Sequence, residues 1–314
     1  MKRVLITGAS GFVGRHLVTL LSRKGYRVFG TFSSNIPRGA SALRNCRSFR
    51  LDLRNSNDIA AVLKNAAPDY VFHLAAQSIP RLSWENPGLF LDINTAGSVR
   101  LFQAVLKAKM NPRILLVSTN LVYGNTFRIK KQVSETDLLM PLNPYAMSKA
   151  LAETAALNFA AQYGLDIVIA RPFNHLGVGQ NPALVFSDWC RQIASAEKGG
   201  KQSYLRVGNL DSYRDFLHVE DVVGAYEVLM QKGKSREAYN IGSGTAVLLQ
   251  DYVGYLVKSA RVPLKLKVEA KRLRRDDPPY ISGNTEKMRA LGWKPRRSAF
   301  EALSEILEYW RRNV

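Results

Sequence analysis

The 314-residue chain is predicted to be an α/β protein, a doubly wound parallel sheet carrying a smaller C-terminal lobe. Three observations lead there. A short apolar run, Arg3-Val-Leu-Ile-Thr7, stands at the start and reads as a buried strand. A glycine-punctuated turn, Gly8-Ala9-Ser10-Gly11-Phe12-Val13-Gly14, leads straight from it into a helix-period segment. Strand and helix patterns then alternate as far as residue 171, the alternation that builds a parallel sheet covered on both faces.

In order, Arg15–Lys24 places Leu17, Val18, Leu20 and Leu21 at helical spacing and ends at Gly25. Tyr26–Phe32 is the second strand and Arg47–Leu53 the third. Ser56–Asn65 reads as helix, Asp69–Ala75 as an apolar strand after Pro68, Leu89–Lys109 as one long helix, and Arg113–Ser118 as a strand. Helix Ala146–Tyr163 and strand Asp166–Arg171 close the alternation. After Pro172 the pattern breaks into glycines, prolines, isolated helices and short strands such as Ser203–Val207. The expected division is a dinucleotide-binding domain of residues 1–171, rejoined by about 218–241 (helix Val219–Gln231, strand Ala238–Ile241), and a substrate-binding lobe of 172–217 and 242–314 ending in helix Ala299–Arg312.

Composition bounds the function. With 46% hydrophobic and 22% charged residues the chain is not disordered as a whole, and at this length it can bury a sizeable core. Cys46 and Cys190 lack metal-ligand spacing, so neither a disulfide framework nor a metal site is expected, and a reducing compartment, the cytoplasm, is. No apolar stretch is long enough to span a membrane. The charge of +20 is high, which makes polyanions plausible partners. The basic residues are scattered, however, and no nucleic-acid module accompanies them, so no nucleic-acid binding is expected.

The GxxGxxG spacing after the first strand points to a dinucleotide. Its early glycines let the backbone turn and approach a pyrophosphate, the last admits close helix–strand packing, and the helix N-terminus offers N–H groups to phosphate. With its βαβ context, this makes the fold Rossmann-like. Thr31-Phe32-Ser33-Ser34-Asn35 carries no acid to hold an NAD ribose, while Arg38 and Arg15 are nearby, so NADP is favoured over NAD. Asp52, with Leu53, could reach the adenine or could cap the following helix.

Tyr145 and Lys149 lie four apart near the start of a helix and therefore share a face. An ammonium beside the phenol is expected to lower its pKa and fit it for proton transfer. Ser118-Thr119 ends an apolar strand, where strand ends line the crevice of such sheets, and offers a hydroxyl to a reacting oxygen.

Together these marks resemble the extended short-chain dehydrogenase/reductases that act on nucleotide sugars. The resemblance covers nearly the whole chain and includes Asp52-Leu53, His73-Leu74-Ala75-Ala76-Gln77-Ser78, Asn94, Val122-Tyr123-Gly124 and the Tyr145/Lys149 pair. It implies Thr119, four residues before Tyr123, as the catalytic hydroxyl with Tyr145 and Lys149. It implies a cofactor site of Gly8, Gly11, Phe12, Val13, Gly14, Ser33, Arg38, Asp52, Leu53, Ala75, Ala76, Gln77, Tyr145 and Lys149. The second half, Arg171-Pro172-Phe173-Asn174-His175-Leu176-Gly177, Val207-Gly208-Asn209 and Arg214-Asp215-Phe216, is similar to the GDP-4-dehydro-6-deoxy-D-mannose reductases and GDP-mannose 4,6-dehydratases. That likeness implies a GDP-sugar held by Gln77, Thr119, Asn120, Tyr145, Asn174, Arg191, Arg214, Arg274 and Asp277, and a homodimer.

One departure separates the subgroups. Dehydratases carry a glutamate two residues after the catalytic Thr to abstract a sugar proton, and here that residue is Leu121. Leucine cannot take a proton, so NADP-dependent reduction of a 4-keto-6-deoxy sugar is expected rather than dehydration. A 4-epimerase remains a related alternative, and a non-catalytic dinucleotide-binding regulator is the reading from another class.

Overall fold

The structure is a computed structural model that describes residues 1–33, 46–199, 203–272 and 278–314. Seven parallel strands form its main sheet: β1 (Arg3–Thr7), β2 (Arg27–Phe32), β3 (Arg47–Arg50), β4 (Tyr70–His73), β5 (Arg113–Val117), β6 (Ile167–Pro172) and β7 (Ala238–Ile241). Their spatial order is β7-β6-β5-β4-β1-β2-β3. The chain thus winds outward in both directions from the β1/β4 boundary, the point where such sheets open a ligand crevice at their carboxyl ends.

Both faces of this sheet are covered, and successive strand residues divide between them as the two-residue pleat requires. Val4 and Ile6 join one core with Leu17, Val18 and Leu21 of α1 (Phe12–Arg23) and with Val222, Tyr226 and Leu229 of a later helix, Val219–Lys232. Leu5 joins the opposite core with α2 (Ser56–Ala66), α3 (Gly97–Lys107) and α4 (Pro144–Tyr163), through Ile59, Leu63, Leu101, Phe102, Ala152 and Ala156.

Beyond β6 a further core gathers Trp189 of α5 (Val185–Gly199), Tyr252 and Leu256 of Leu249–Ser259, and Leu303 and Ile306 of Ala299–Arg311. With the intervening Val219–Lys232 as α6, these last two are α7 and α8. A capping box between Ser298 and Glu301 starts α8. Strand Ser203–Val207 pairs with Leu264–Val268, and a small sheet joins 247–248, 213–214, 280–283 and 132–133. Ser203–Val207 is present as expected, while the two- to four-residue strands of the small sheet are too short to carry a hydrophobic period.

The long helix expected over residues 89–109 is broken. A turn of α-helix, Pro87–Phe90, passes into a π-helical stretch, Leu91–Ala96, before α3. Wider turns of this kind occur at functional sites, and this one turns Asn94 into the interior. Among the described residues no helix is long and apolar enough to cross a membrane. Cys190 is a free, buried thiol.

Candidate active site

The glycine loop lies across the carboxyl end of β1. Gly8 has φ +74°, and a Cβ there would stand 2.9 Å from the Cα and N of Ala75. A Cβ on Gly14 would fall 2.3 Å from the Gly8 carbonyl oxygen and 2.8 Å from the Ala9 Cα. The loop is thus pressed against both the β4 end and the first turn of α1, leaving a cradle that side chains would fill. Gly11 precedes α1, no side chain caps the helix, and its first turn holds no acid, which suits a helix N-terminus to phosphate. Thr31 pins the loop from the neighbouring strand: its hydroxyl accepts from the Gly8 N–H at 3.2 Å and its carbonyl from the Ala9 N–H at 2.9 Å.

A buried relay fixes the floor. The Thr7 hydroxyl accepts from the Ala75 N–H (3.1 Å) and donates to His73 Nδ1 (2.7 Å). His73 Nε2 then donates to the Ser98 hydroxyl (3.1 Å), which donates to the Asn94 carbonyl (2.6 Å). This direction requires a neutral imidazole. Burial, with a smaller push from the charge of Lys149, lowers the His73 pKa to about 3. Asn94 clamps the next segment by accepting from the Gln77 N–H at 2.8 Å and donating to the Gln77 carbonyl at 3.0 Å and the Ser148 hydroxyl at 2.9 Å.

Tyr145 and Lys149 lie in the first two turns of α4, whose N-terminus is capped by Asn143 accepting from the Ala146 N–H at 2.9 Å. Both side chains are buried. Thr119 starts the turn after β5. Its hydroxyl accepts from the Leu121 N–H at 3.3 Å and donates to Asn120 Oδ1 at 3.4 Å, and it lies near enough to the Tyr145 phenol to influence it. Ser118, on the opposite side of the strand end, donates instead to the Glu153 carboxylate. The structure therefore brings Thr119, Tyr145 and Lys149 to one place at the carboxyl edge of the sheet and turns Ser118 away. The expected lowering of the phenol by Lys149 is not what the geometry produces. Burial pushes Tyr145 up to about 12, opposed by the nearby Thr119 hydroxyl. Lys149 donates to the Val117 carbonyl at 2.8 Å and is itself lowered to about 8, again by burial, with the charge of Glu153 acting to raise it.

The remaining predicted residues distribute unevenly. Phe12 and Val13 open α1, and Ala75, Ala76 and Gln77 follow β4 beside the glycine loop. Ser33 is exposed just past β2. Leu53 is core, its Cβ 2.9 Å from where a Gly97 Cβ would stand. Asp52 does not cap α2, since Asn55 does. Its carboxylate grips Arg54 at 2.6 Å and is lowered to about 2, mainly by that bond. Arg15 is committed to the carbonyls of Gly179 (2.9 Å) and Ser10 (3.4 Å), where it latches the 177–180 loop to α1.

Asn120 is buried, its Nδ2 lacking a partner among the described residues. Asn174 lies on a short strand paired with 216–218 and reaches the Asp215 carbonyl at 3.5 Å. Arg214 is buried and donates to the carbonyls of Tyr213 and Pro279 at 2.8 and 3.4 Å. Arg191 bonds Asp188 at 3.2 Å and lines an open cavity of about 460 Å³ with Pro182, Ala183, Asp188, Arg272 and Trp310. Arg38, Arg274 and Asp277 lie outside the described residues.

Sequence reasoning passed over Thr7, Thr31, Asp215 and the Glu153–Arg171 pair. Asp215 is buried and holds Ser243 and Gly244 through three bonds of 2.7–3.0 Å. A signal for Glu153 was present, because it follows Lys149 by four residues on the same helix face. His175 is bonded to the Phe173 carbonyl and His218 to Glu305. No metal-holding cluster of His, Cys, Asp and Glu occurs among the described residues.

GDP-6-deoxy-D-mannose reductase of Pseudomonas aeruginosa is 31% identical over 314 residues, covering 100% of this chain and 98% of the relative. GDP-6-deoxy-D-talose 4-dehydrogenase of Aggregatibacter actinomycetemcomitans is 30% identical and covers 96% of each chain. The structure of RMD from Pseudomonas aeruginosa, complexed with NADPH, superposes with a TM-score of 0.88 at 31% identity and covers all of both chains. The profile described as GDP-mannose 4,6 dehydratase matches residues 5–306. With the glycine cradle, the strand-end threonine and the Tyr145/Lys149 helix all falling inside that match, the chain belongs to the GDP-mannose 4,6-dehydratase family of extended short-chain dehydrogenases/reductases.

Proposed function

We propose that this protein reduces the 4-keto group of a GDP-4-keto-6-deoxy-hexose with NADPH, giving a GDP-6-deoxyhexose of the GDP-rhamnose type. The observation that carries this reading is the pairing of the Thr119–Tyr145–Lys149 cluster with Leu121 at the dehydratase glutamate position. Glu135, the nearest acid in sequence, does not replace it, because its carboxylate accepts from the Asn240 N–H at 2.8 Å. The relatives named above, a reductase and a 4-dehydrogenase of GDP-6-deoxy sugars, support the same chemistry.

The cradle formed by Gly8, Gly11 and Gly14 fits a dinucleotide pyrophosphate on the free N-terminus of α1. No Asp or Glu occurs from Thr31 to Leu51, so the ribose beyond β2 meets no carboxylate, which favours the 2′-phosphate of NADP. Ser33 and Arg38 are assigned to that phosphate, while Arg15 is withdrawn because the 177–180 loop occupies it. When bound, the nicotinamide supplies the hydride that C4 receives. Tyr145 holds its proton at neutral pH and donates it to the C4 oxygen. Thr119 hydrogen-bonds the same oxygen, and Asn120, whose Nδ2 has no partner among the described residues, is assigned to a sugar hydroxyl. Lys149 holds positive charge beneath them. Arg191, Arg214 and Arg274 pair with the diphosphate, and Asn174, Gln77 and Asp277 with the sugar and nucleoside.

Residues 1–171 with 218–241 then bind the cofactor, and 172–217 with 242–314 bind the GDP-sugar. A homodimer is proposed through α4, which leaves Met147, Leu151, Leu157 and Tyr163 exposed to between 38% and 59%. A sedimentation mass of one chain would overturn it. The free thiol of Cys190 fits a cytoplasmic location. The deciding experiment for the activity is NMR analysis of the products from GDP-4-keto-6-deoxymannose and NADPH. A 4-hydroxyl product with stoichiometric cofactor oxidation is expected. No cofactor oxidation, or interconversion of sugars without net oxidation, would overturn the reductase assignment.

A further inference from the structure

Glu153 is 1% exposed and Arg171 6% exposed, so this ion pair is buried beside the site. Arg171 donates to both Glu153 oxygens, through NH2 at 2.6 Å and Nε at 3.1 Å. Its other nitrogen donates to the Tyr123 hydroxyl at 2.9 Å and the Glu135 carbonyl at 3.0 Å. Tyr123 passes the chain on to Asn240 Oδ1 at 2.7 Å. One pair thereby ties together α4, β6, β7 and the turn that follows Thr119.

Such a pair is costly to desolvate and is no argument for stability by itself. Its placement is informative. Lys149 and Glu153 are four apart on α4 and grip successive residues of the β5 end. Lys149 holds the Val117 carbonyl at 2.8 Å, and Glu153 accepts from the Ser118 hydroxyl. The next residue is Thr119. We propose that Glu153, oriented by Arg171, is a positioning residue that sets the strand end carrying Thr119 and supplies the negative charge facing buried Lys149. The proposal deepens the reductase reading and rests on its assignment of Thr119, Tyr145 and Lys149.

The groups around Lys149 make the charge consequential. On its own helix Tyr145 and Glu153 lie one turn to either side of it, and Glu153 is the charge that acts on it. From β4 it meets His73, which is neutral, and from the β5 end it meets the Val117 carbonyl. Tyr226 of α6 faces Tyr145, and Arg171 of β6 faces Glu153. Glu153 is the carboxylate that acts against the burial of Lys149.

The test uses Glu153→Gln, which keeps the side-chain length and an acceptor for Ser118 but removes the charge, and Ser118→Ala, which breaks the link and keeps the charge. In 13C-lysine-labelled protein, with the Lys149 signal assigned by its loss in Lys149→Met, Glu153→Gln should lower the Lys149 titration midpoint by on the order of one pH unit, as expected for opposite charges one helical turn apart. The basic limb of the kcat profile should move with it. Ser118→Ala should leave that midpoint in place and lower kcat about tenfold at constant KM, the loss of one hydrogen bond to a charged group.

An unmoved midpoint in folded Glu153→Gln, or a Ser118→Ala kcat within twofold of the parent, overturns the proposal. If Glu153→Gln fails to fold with Arg171 left unpaired, Ser118→Ala alone decides. Because the lysine titration needs no substrate, a parent that reduces no keto-sugar would sink the functional reading, while the midpoint would still report on the charge.

Discussion

Replacing Tyr145 with Phe isolates one proton. The ring is buried and meets Phe90 edge-on with centroids 6.3 Å apart, so the substitution keeps the packing. Thr119 retains the Leu121 N–H, so the lost hydroxyl orphans no buried group and stability should change by no more than about 1 kcal/mol. With the phenol pushed up to about 12 by burial, the parent enters the reaction with its proton in place. Removing a positioned acid of this kind costs about 10²–10⁴ in rate, or about 3–5 kcal/mol of barrier. The assay follows cofactor oxidation by absorbance with GDP-4-keto-6-deoxymannose as substrate. The kcat should fall by that factor while KM and cofactor affinity hold, the signature of an interaction made in the transition state. A Tyr145→Phe enzyme within a few-fold of the parent would show that the proton comes from elsewhere, and the role of Thr119 beside that phenol would fall with it.

Other outcomes follow from the same geometry. Gly14→Ala would drive a Cβ to 2.3 Å from the Gly8 oxygen; the overpacking should cost about 1–3 kcal/mol and abolish cofactor binding, and calorimetric titration showing parent-like affinity would refute the cradle. Lys149→Met should abolish turnover yet raise the melting temperature below pH 8. The folded pKa of about 8 lies below the ordinary 10.5, so the parent's penalty for burying the charge is complete below pH 8 and is relieved as pH rises toward 10.5, and the variant's advantage should fade across that window. An advantage that is absent, or constant with pH, would contradict the burial argument. Incubation with GDP-mannose and catalytic NADP should yield no 4-keto-6-deoxy product by NMR, since Leu121 cannot abstract the sugar proton and Glu135 is held by Asn240; its detection would identify another base.

What could be read from the sequence was what repeats along it. Strands β1, β4, β5 and β6 are buried on both faces, so their near-continuous apolar runs marked them, and α1 announced itself through Leu17, Val18 and Leu21. The glycine loop could be read because its requirement is steric and local: Gly8 and Gly14 stand where any Cβ would strike backbone. The interruption of 89–109 could not. Its apolar spacing continues through the π-helical stretch, and the cause lies in partners distant in sequence: Asn94 is drawn inward by Gln77, 17 residues earlier, and by Ser148, 54 residues later.

The same distinction separates residue types from their employment. Arg15 and Asp52 have the chemistry to bind a dinucleotide, but each is engaged by a neighbour, Arg15 by the Gly179 carbonyl 164 residues away and Asp52 by Arg54. A spacing rule places Tyr145 and Lys149 on one face. It does not say whether charge or burial governs the phenol, because that depends on how completely β4, β5 and α6 enclose the helix. Here enclosure governs both groups, raising Tyr145 and lowering Lys149. The first shift keeps the proton on Tyr145 at neutral pH, but it also makes the phenol a weaker acid. The second shift leaves the lysine's charge dependent on a nearby carboxylate, the part that Glu153 plays from one turn further along the same helix.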